Sequence, residues 1–394
     1  MEIFCHMDTS SPQPRGGEAP RRPIPPFTEE HERLRAEIRA FVETRLRPHA
    51  DEWEQAGWFP NDAFGELARA GYLGLQFPRE YGGGGDPVAA AVLVEELARC
   101  GSGGVAAGLG AHSGTALPPI WKFGTAAQKQ RYLIPGLRGE KIAALAITEP
   151  GAGSDVASIR TQAKPVDGGY VVNGAKTFIT GGVRADLLVT AVKTRVGGSI
   201  SDHHGISFLI VERGKGVSSS PLRKLGWHAS DTAEIAFDDV FVPDENRLGD
   251  EHHGFYLIMA NFQWERLLMA LGAIGAMQAC FEQTLAFVRR DGRRPGQAIR
   301  HQLAAIALEI EAGRDVTYAA LRRHLAGEDA VQQVTIAKLR TQRSAFDAID
   351  VCLSIHGLDA PAELERAARD ARLGPIGGGT DEIMKEILGR SLGL

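Results

Sequence analysis

The amino-acid sequence predicts an α+β multidomain chain in the order helical, β, helical. Apolar residues recur at helical spacing over 27–142 and again from Phe255 onward, whereas the stretch between them breaks into short β-branched runs separated by Gly and Asp. No βαβ unit repeats and no GxGxxG occurs, which argues against a Rossmann dinucleotide site. At 394 residues the chain suits two or three domains, each able to bury a core of its own.

Residues 1–26 hold six prolines, at 12, 14, 20, 23, 25 and 26, among Gly, Ser and Arg, the composition of a disordered leader. Thr28 can cap a helix that carries Leu34, Ile38, Phe41, Val42 and Leu46, with Pro48 ending the stripe. Asn61 or Asp62 can start a second helix through Phe64 and Leu67. Asp86-Pro87 reads as an N-cap followed by proline at the first helical position, leading into 88–97. These elements define a helical domain over 27–142. The runs at 170–180, 187–192, 206–211 and 233–237 read as strands of a β domain over 143–250, and Asn173-Gly174 reads as a tight two-residue hairpin turn. Three long helical stretches, about 254–290, 298–326 and 331–357, and a short one at 380–390 then form a bundle over 251–394.

Composition excludes several classes. With 24% charged residues and a net charge of -5, no basic surface for nucleic acid is expected. The cysteines at 5, 100, 280 and 352 show neither CxxC nor metal-ligand spacing, which fits a reducing, cytoplasmic setting. His203-His204 and His252-His253 lie in polar sequence without ligand spacing between the pairs, so no metal is expected. No run is long and apolar enough for a membrane span or a signal peptide.

The chemistry concentrates in Thr148-Glu149-Pro150-Gly151-Ala152-Gly153-Ser154-Asp155, directly after the apolar run 142–147. Two glycines, two hydroxyls and two carboxylates can bring backbone N–H groups close to a flat polar ligand, and local chemistry alone equally allows a tight surface turn. This loop, followed by Gly169-Tyr170-Val171-Val172-Asn173-Gly174-Ala175-Lys176-Thr177-Phe178-Ile179-Thr180, resembles the flavin-binding signature of the acyl-CoA dehydrogenase family. Two further stretches, 124–140 and 225–243, are similar to the family's approach to its β domain and its exit from it, so the likeness covers about 27–394.

The resemblance implies an acyl-CoA dehydrogenase fold: an N-terminal helical domain, a central β-barrel-like domain and a C-terminal four-helix bundle, assembled as a homotetramer or dimer. It implies FAD between barrel and bundle, with Leu145, Ile147, Thr148, Gly153 and Ser154 on one strand and loop, and Phe178, Ile179 and Thr180 on the next strand, against the flavin. Thr380 and Glu382 complete the cofactor contacts of the same chain. The implied substrate is an acyl thioester, on CoA or a carrier protein, and the implied electron acceptor is a separate protein such as an electron-transfer flavoprotein.

Dehydrogenation needs a base for the α-proton, and a buried carboxylate suits this because desolvation raises its pKa towards neutrality. The family places this glutamate either in a Glu-Gly-Thr loop before the last helix or in a Glu-Arg pair on the first bundle helix. This chain has Gly378-Gly379-Thr380 at the first place and Glu265-Arg266 at the second, so Glu265 is assigned as the base. Read without the family, Glu265 is an ordinary helix carboxylate and Arg266 a bundle ion-pair partner. By resemblance Ser154, Gln263, Trp264, Arg266 and Gly379 face the thioester. The triple glycine at 377–379 permits close backbone approach to the thioester carbonyl, and also fits a flexible turn ahead of a helix capped by Thr380.

Two segments depart from the family. Between the first two bundle helices relatives carry Arg-x-x-Phe-Gly, whose Arg and Phe reach the FAD of a neighbouring subunit. Here 289–297 is shorter and lacks the Phe, leaving Arg290 and Gln297 as the counterparts, in a segment that also reads as a solvated interhelical loop. After the third long helix, Ser354-Ile355-His356-Gly357-Leu358 stands where relatives have Gln-x-x-Gly-Gly. Both departures imply a weaker hold on the dinucleotide half of FAD. They keep open a FAD-poor family member with a binding, assembly or non-redox role, and the resemblance itself leaves oxidase-like use of oxygen as a further alternative.

Overall fold

The computed structural model describes residues 23–195, 203–290, 292 and 294–394. The expected leader lies outside the described residues up to position 22, as do Asp291 and Arg293 of the interhelical segment.

The first helix, α1 (Glu29–Phe41), starts at Thr28, whose Oγ1 accepts from the N–H of His31 while His31 Nδ1 accepts from the N–H of Thr28, a capping box built with His. Pro48 does not end the helical path. The chain runs through a π turn (Val42–Leu46) and a 3-10 turn (Arg47–His49) into α2 (Ala50–Ala56). In a 3-10 turn ahead of a new helix, the proline ring meets no helix-interior carbonyl and its missing N–H leaves no gap in the ladder. Termination comes instead at Gly57, in the left-handed conformation. Asn61 precedes α3 (Asp62–Arg69), but its side chain accepts from Arg184 rather than capping. Asp86 caps α4 (Pro87–Leu97) through Val88 and Ala89 N–H, as its position before proline predicts. Helices α5 (Gly103–Ala111) and α6 (Leu117–Phe123), with the short α7 (Ala126–Gln128) and α8 (Ile134–Leu137), lead to the sheet.

Eight strands follow: β1 (Ala143–Ala146), β2 (Gln162–Val166), β3 (Gly169–Ile179), β4 (Leu187–Lys193), β5 (Ile206–Glu212), β6 (Val217–Pro221), β7 (Ala233–Pro243) and β8 (Arg247–Leu248). They run in the order β6-β7-β3-β2-β4-β5-β8, with β1 parallel to β4. The expected hairpin at Asn173-Gly174 is absent. Both residues lie inside β3, and the turn that joins β2 to β3 is at Asp167-Gly168, where Gly168 has φ +75°. Glycine is needed at 174 for another reason: at this bulge against β7 a Cβ would sit 2.7 Å from Thr161. Asn173 meanwhile exchanges two hydrogen bonds with Asp239 of β7. An Asn-Gly pair thus serves a bulge here, and nothing local separates that use from a turn.

The bundle consists of α9 (Gly254–Arg289), α10 (Gln297–Leu325), α11 (Val331–His356), α12 (Ala362–Asp370) and α13 (Asp381–Ser391). Helix α9 lies at its centre, packed on α10, α11 and also on α4. Its N-terminal half shares an apolar cluster with the sheet: Ile258 and Phe262 pack with Leu145, Ile147 and Ala152. That contact brings the 148–155 loop and the start of the bundle to one place. No helix among the described residues is long and apolar enough to cross a membrane.

Candidate active site

On the sheet side, β1 delivers the chain into a tight turn closed by two backbone hydrogen bonds between Glu149 and Ala152. The Glu149 carboxylate points inward, accepting from Lys176 Nζ (2.8 Å) and from the N–H groups of Arg160 and Thr161. Lys176, with no exposed side-chain surface, also donates to the Ile147 carbonyl at 2.9 Å. Burial pushes the Glu149 carboxyl up, but Lys176 and the donors on Thr161 outweigh it and hold it below the usual carboxylate range. Burial pushes Lys176 down to about 8, against the opposing pull of Glu149. The sequence reading did not single out this fastening. Its only signal was a lysine inside a run that reads as a strand.

The fastened loop presents Thr148 half-buried and Gly153 and Ser154 exposed. Thr177 donates to the Thr148 carbonyl (2.9 Å), and the next residue, Phe178, has φ +60° with 69% of its surface exposed. A bulky residue in the left-handed region costs about 1–3 kcal/mol, and an exposed ring gains nothing from the core in return. Both features fit a ring held ready for a flat ligand. Leu145 and Thr180 are half-buried beside it, whereas the side chains of Ile147 and Ile179 face apolar cores and leave only their backbones for contact.

On the bundle side, Glu265 lies on α9 three residues beyond Phe262, the last α9 residue in the cluster shared with the sheet. Its Oε2 has no exposed surface and no hydrogen-bond partner. Burial pushes its carboxyl up to about 7, with Arg266 as the opposing charge. Arg266 turns to the glycine loop, where its Nε donates to the Gly378 carbonyl at 3.2 Å. Gly378 and Gly379 adopt φ +63° and +100°, so the last two of the three glycines are required by backbone conformation. A Cβ on Gly378 would stand 2.3 Å from Met269 Sδ, and Met269 lies one helical turn beyond Glu265. The space a carboxylate would need at 378 is therefore filled from the helix that carries Glu265.

Gln263 is half-buried on α9, and Thr380 accepts from Ile383 N–H as the N-cap of α13. Glu382 is exposed on the first turn, its carboxyl lowered by its own N–H and by Thr380. Trp264 is a correction. It is 3% exposed, belongs to the core between α9 and α10 and stacks on His324 at 5.8 Å, which leaves no ring face for a substrate. Arg290 and Gln297 stand apart from the other candidates. Twenty-five residues separate Arg290 from Glu265 along the helical path, roughly 38 Å at 1.5 Å per residue. Arg290 pairs with Asp359 (3.2 Å) and lies over Phe287, and Gln297 is an exposed first residue of α10.

A carboxylate with one sealed, unpaired oxygen on α9, and a strained, exposed aromatic with small hydroxyls on the sheet that packs against the start of that helix, fit a class: a flavin-type oxidoreductase site between a sheet domain and a helical bundle. Family models agree along the whole chain. The acyl-CoA dehydrogenase N-terminal domain matches residues 28–140, the middle domain 144–240 and the C-terminal domain 252–393. The chain belongs to the acyl-CoA dehydrogenase family. It is 36% identical to the mitochondrial isovaleryl-CoA dehydrogenase of Oryza sativa subsp. japonica over 93% of this chain and 92% of the rice protein. It is also 36% identical to the mitochondrial long-chain specific acyl-CoA dehydrogenase of Mus musculus, over 93% of this chain and 87% of the mouse protein. The crystal structure of acyl-CoA dehydrogenase from Geobacillus kaustophilus superposes with a TM-score of 0.89 at 37% identity, covering 94% of this chain and all of that one.

Proposed function

We propose that the protein is an FAD-dependent enzyme that introduces an α,β double bond into an acyl thioester. The observation that carries this reading is Glu265, a carboxylate raised to about 7 whose sealed Oε2 has no hydrogen-bond partner among the described residues. The functional names of the relatives favour CoA over a carrier protein as the thioester handle. The domains 27–142, 143–250 and 251–394 close around the site.

The residues present fit FAD. Phe178 supplies a ring face, the hydroxyls of Thr148, Ser154 and Thr180 and the N–H of Gly153 supply polar contacts, Leu145 lines the apolar side, and Ile147 and Ile179 contribute through their backbones. Thr380 and Glu382 reach it from α13, and Arg290 and Gln297 reach the FAD of a neighbouring copy in a homo-oligomer. When bound, the flavin supplies the acceptor for the β-hydride. Glu265 takes the α-proton, and its low-polarity surroundings keep its pKa near that needed at neutral pH. Arg266 and the glycine loop, through Gly379, hold the thioester carbonyl as it gains negative charge. Ser154 and Gln263 line the thioester's path. Electrons then leave to a separate carrier such as an electron-transfer flavoprotein. Cys100, Cys280 and Cys352, buried and free, support a reducing cytoplasmic setting.

The test is a yellow purified protein whose flavin absorbance bleaches anaerobically on adding an acyl-CoA. A colourless protein that takes up no added FAD overturns the reading, and stoichiometric hydrogen peroxide in air moves it to an oxidase.

A further inference from the structure

Lys338 of α11 has no exposed surface and no carboxylate partner among the described residues. Its Nζ donates to two carbonyls, Gly374 (3.0 Å) and Gly379 (2.7 Å), the two shoulders of the glycine loop. The charged groups that act on it are Asp381 and Glu382 on α13, Arg266 on α9 and Arg343 on its own helix, and the acid that acts on it most, Asp381, is paired with Arg343. A buried ammonium without a counter-ion is expensive to keep, so a packing role alone gives no reason for its charge.

The loop it holds has an unusual hydrogen-bond state. Arg266 takes the Gly378 carbonyl and Lys338 takes that of Gly379, while no hydrogen bond among the described residues uses the N–H of Gly378 or Gly379. In a trans peptide the carbonyl of one residue points opposite to the N–H of the next, so Arg266 on the Gly378 carbonyl sets the direction of the Gly379 N–H, while Lys338, on the Gly374 and Gly379 carbonyls, holds the two ends of the segment that carries that peptide. We propose that Lys338 is a positioning residue for the dehydrogenation: it fixes the 374–379 loop so that its free N–H groups meet the thioester carbonyl, and its charge favours the enolate that forms there. The proposal rests on the dehydrogenase reading and adds to it a residue two helices away in sequence from the base.

The test separates proton abstraction from redox. An acyl-CoA whose β-carbon is replaced by sulfur has no hydride to lose, so exchange of its α-protons in D2O, read by mass spectrometry on the FAD-loaded enzyme, reports enolate formation alone. Lys338→Met should exchange about 10–100-fold more slowly while binding the analogue within about threefold of wild type, and Lys338→Arg should recover most of the rate. Exchange at the wild-type rate in Lys338→Met, or a loss that only follows weakened binding, overturns the proposal. If Lys338→Met does not fold, Lys338→Gln, which keeps a donor and removes the charge, is held to the same criteria. Absence of exchange in the wild type, or wild-type exchange in Glu265→Gln, overturns the underlying reading instead.

Discussion

Glu149 is buried, Glu265 is half-buried with one carboxylate oxygen sealed from solvent, and the two have opposite fates. Glu149 accepts from a lysine and two backbone N–H groups and is held below the ordinary carboxylate range. Glu265 keeps one oxygen without a partner and is raised to about 7. Burial pushes both carboxyls up, so burial does not make a base. What separates them is the supply of donors, which turns one carboxylate into a fastening for the 148–155 loop and leaves the other able to take a proton.

The sharpest way to break this contrast is Glu265→Gln. We expect kcat with an acyl-CoA to fall by about 10³-fold or more, with FAD content unchanged. In the parent enzyme kcat/KM should rise with pH through about 7, as Glu265 loses its proton. Stability should move the other way. The folded pKa lies above the unfolded value, so the group's contribution is full below about pH 4.5 and is lost as pH rises to 7, roughly 3 kcal/mol. Denaturation of the thioester-free protein at pH 8 should therefore show the glutamine variant more stable than its parent. Equal stability at pH 8 would place Glu265 in contact with a partner.

Lys176→Met tests the other half. It leaves Glu149 buried without its counter-charge, and we expect a loss of about 3 kcal/mol or more in urea unfolding at pH 7, with weaker retention of FAD. Because the folded pKa of Glu149 is depressed, its stabilisation is present above the ordinary carboxylate pKa and disappears as pH falls below it. The variant should lose that acid sensitivity. A variant as stable as its parent would show that the loop does not depend on the ion pair.

These two glutamates also mark what was legible beforehand. Periodicity and caps set out the long helices and the starts at Thr28 and Asp86, because those signals act within one turn. Glu265 was singled out by likeness to a family and by the missing carboxylate at Gly378, since nothing next to it in the chain distinguishes it from a surface glutamate. Lys176, Lys338 and Met269 went unnoticed because their partners lie tens of residues away or across helices. Asn173-Gly174 and Trp264 misled for a related reason: bulge or turn, core or ligand face, is decided by what packs opposite.

Gly378→Ala probes why the carboxylate stands on the helix and not in the glycine loop. At φ +63° an added Cβ is strained, and it would press on Met269 Sδ. We expect a loss of about 1–2 kcal/mol in thermal or chemical unfolding, part of it regained when Met269→Ala opens the space. A neutral Gly378→Ala would show that the loop adjusts freely, and a carboxylate at 378 could then stand in for Glu265.

The smallest effect is expected at Arg290→Ala. Arg290 and Asp359 are both more than half exposed, at 53% and 62% of their side chains, and a pair so open to solvent contributes less than about 1 kcal/mol. Unfolding of the variant should match the parent within that margin. FAD retention is the informative reading, because in a homo-oligomer this end of α9 would meet the neighbour's cofactor rather than its own chain's base. A drop in FAD affinity of tenfold or more, with stability unchanged, would show that the shortened segment still grips the neighbouring dinucleotide. Unchanged affinity would confine the hold on FAD to Phe178 and the loop that Glu149 fastens.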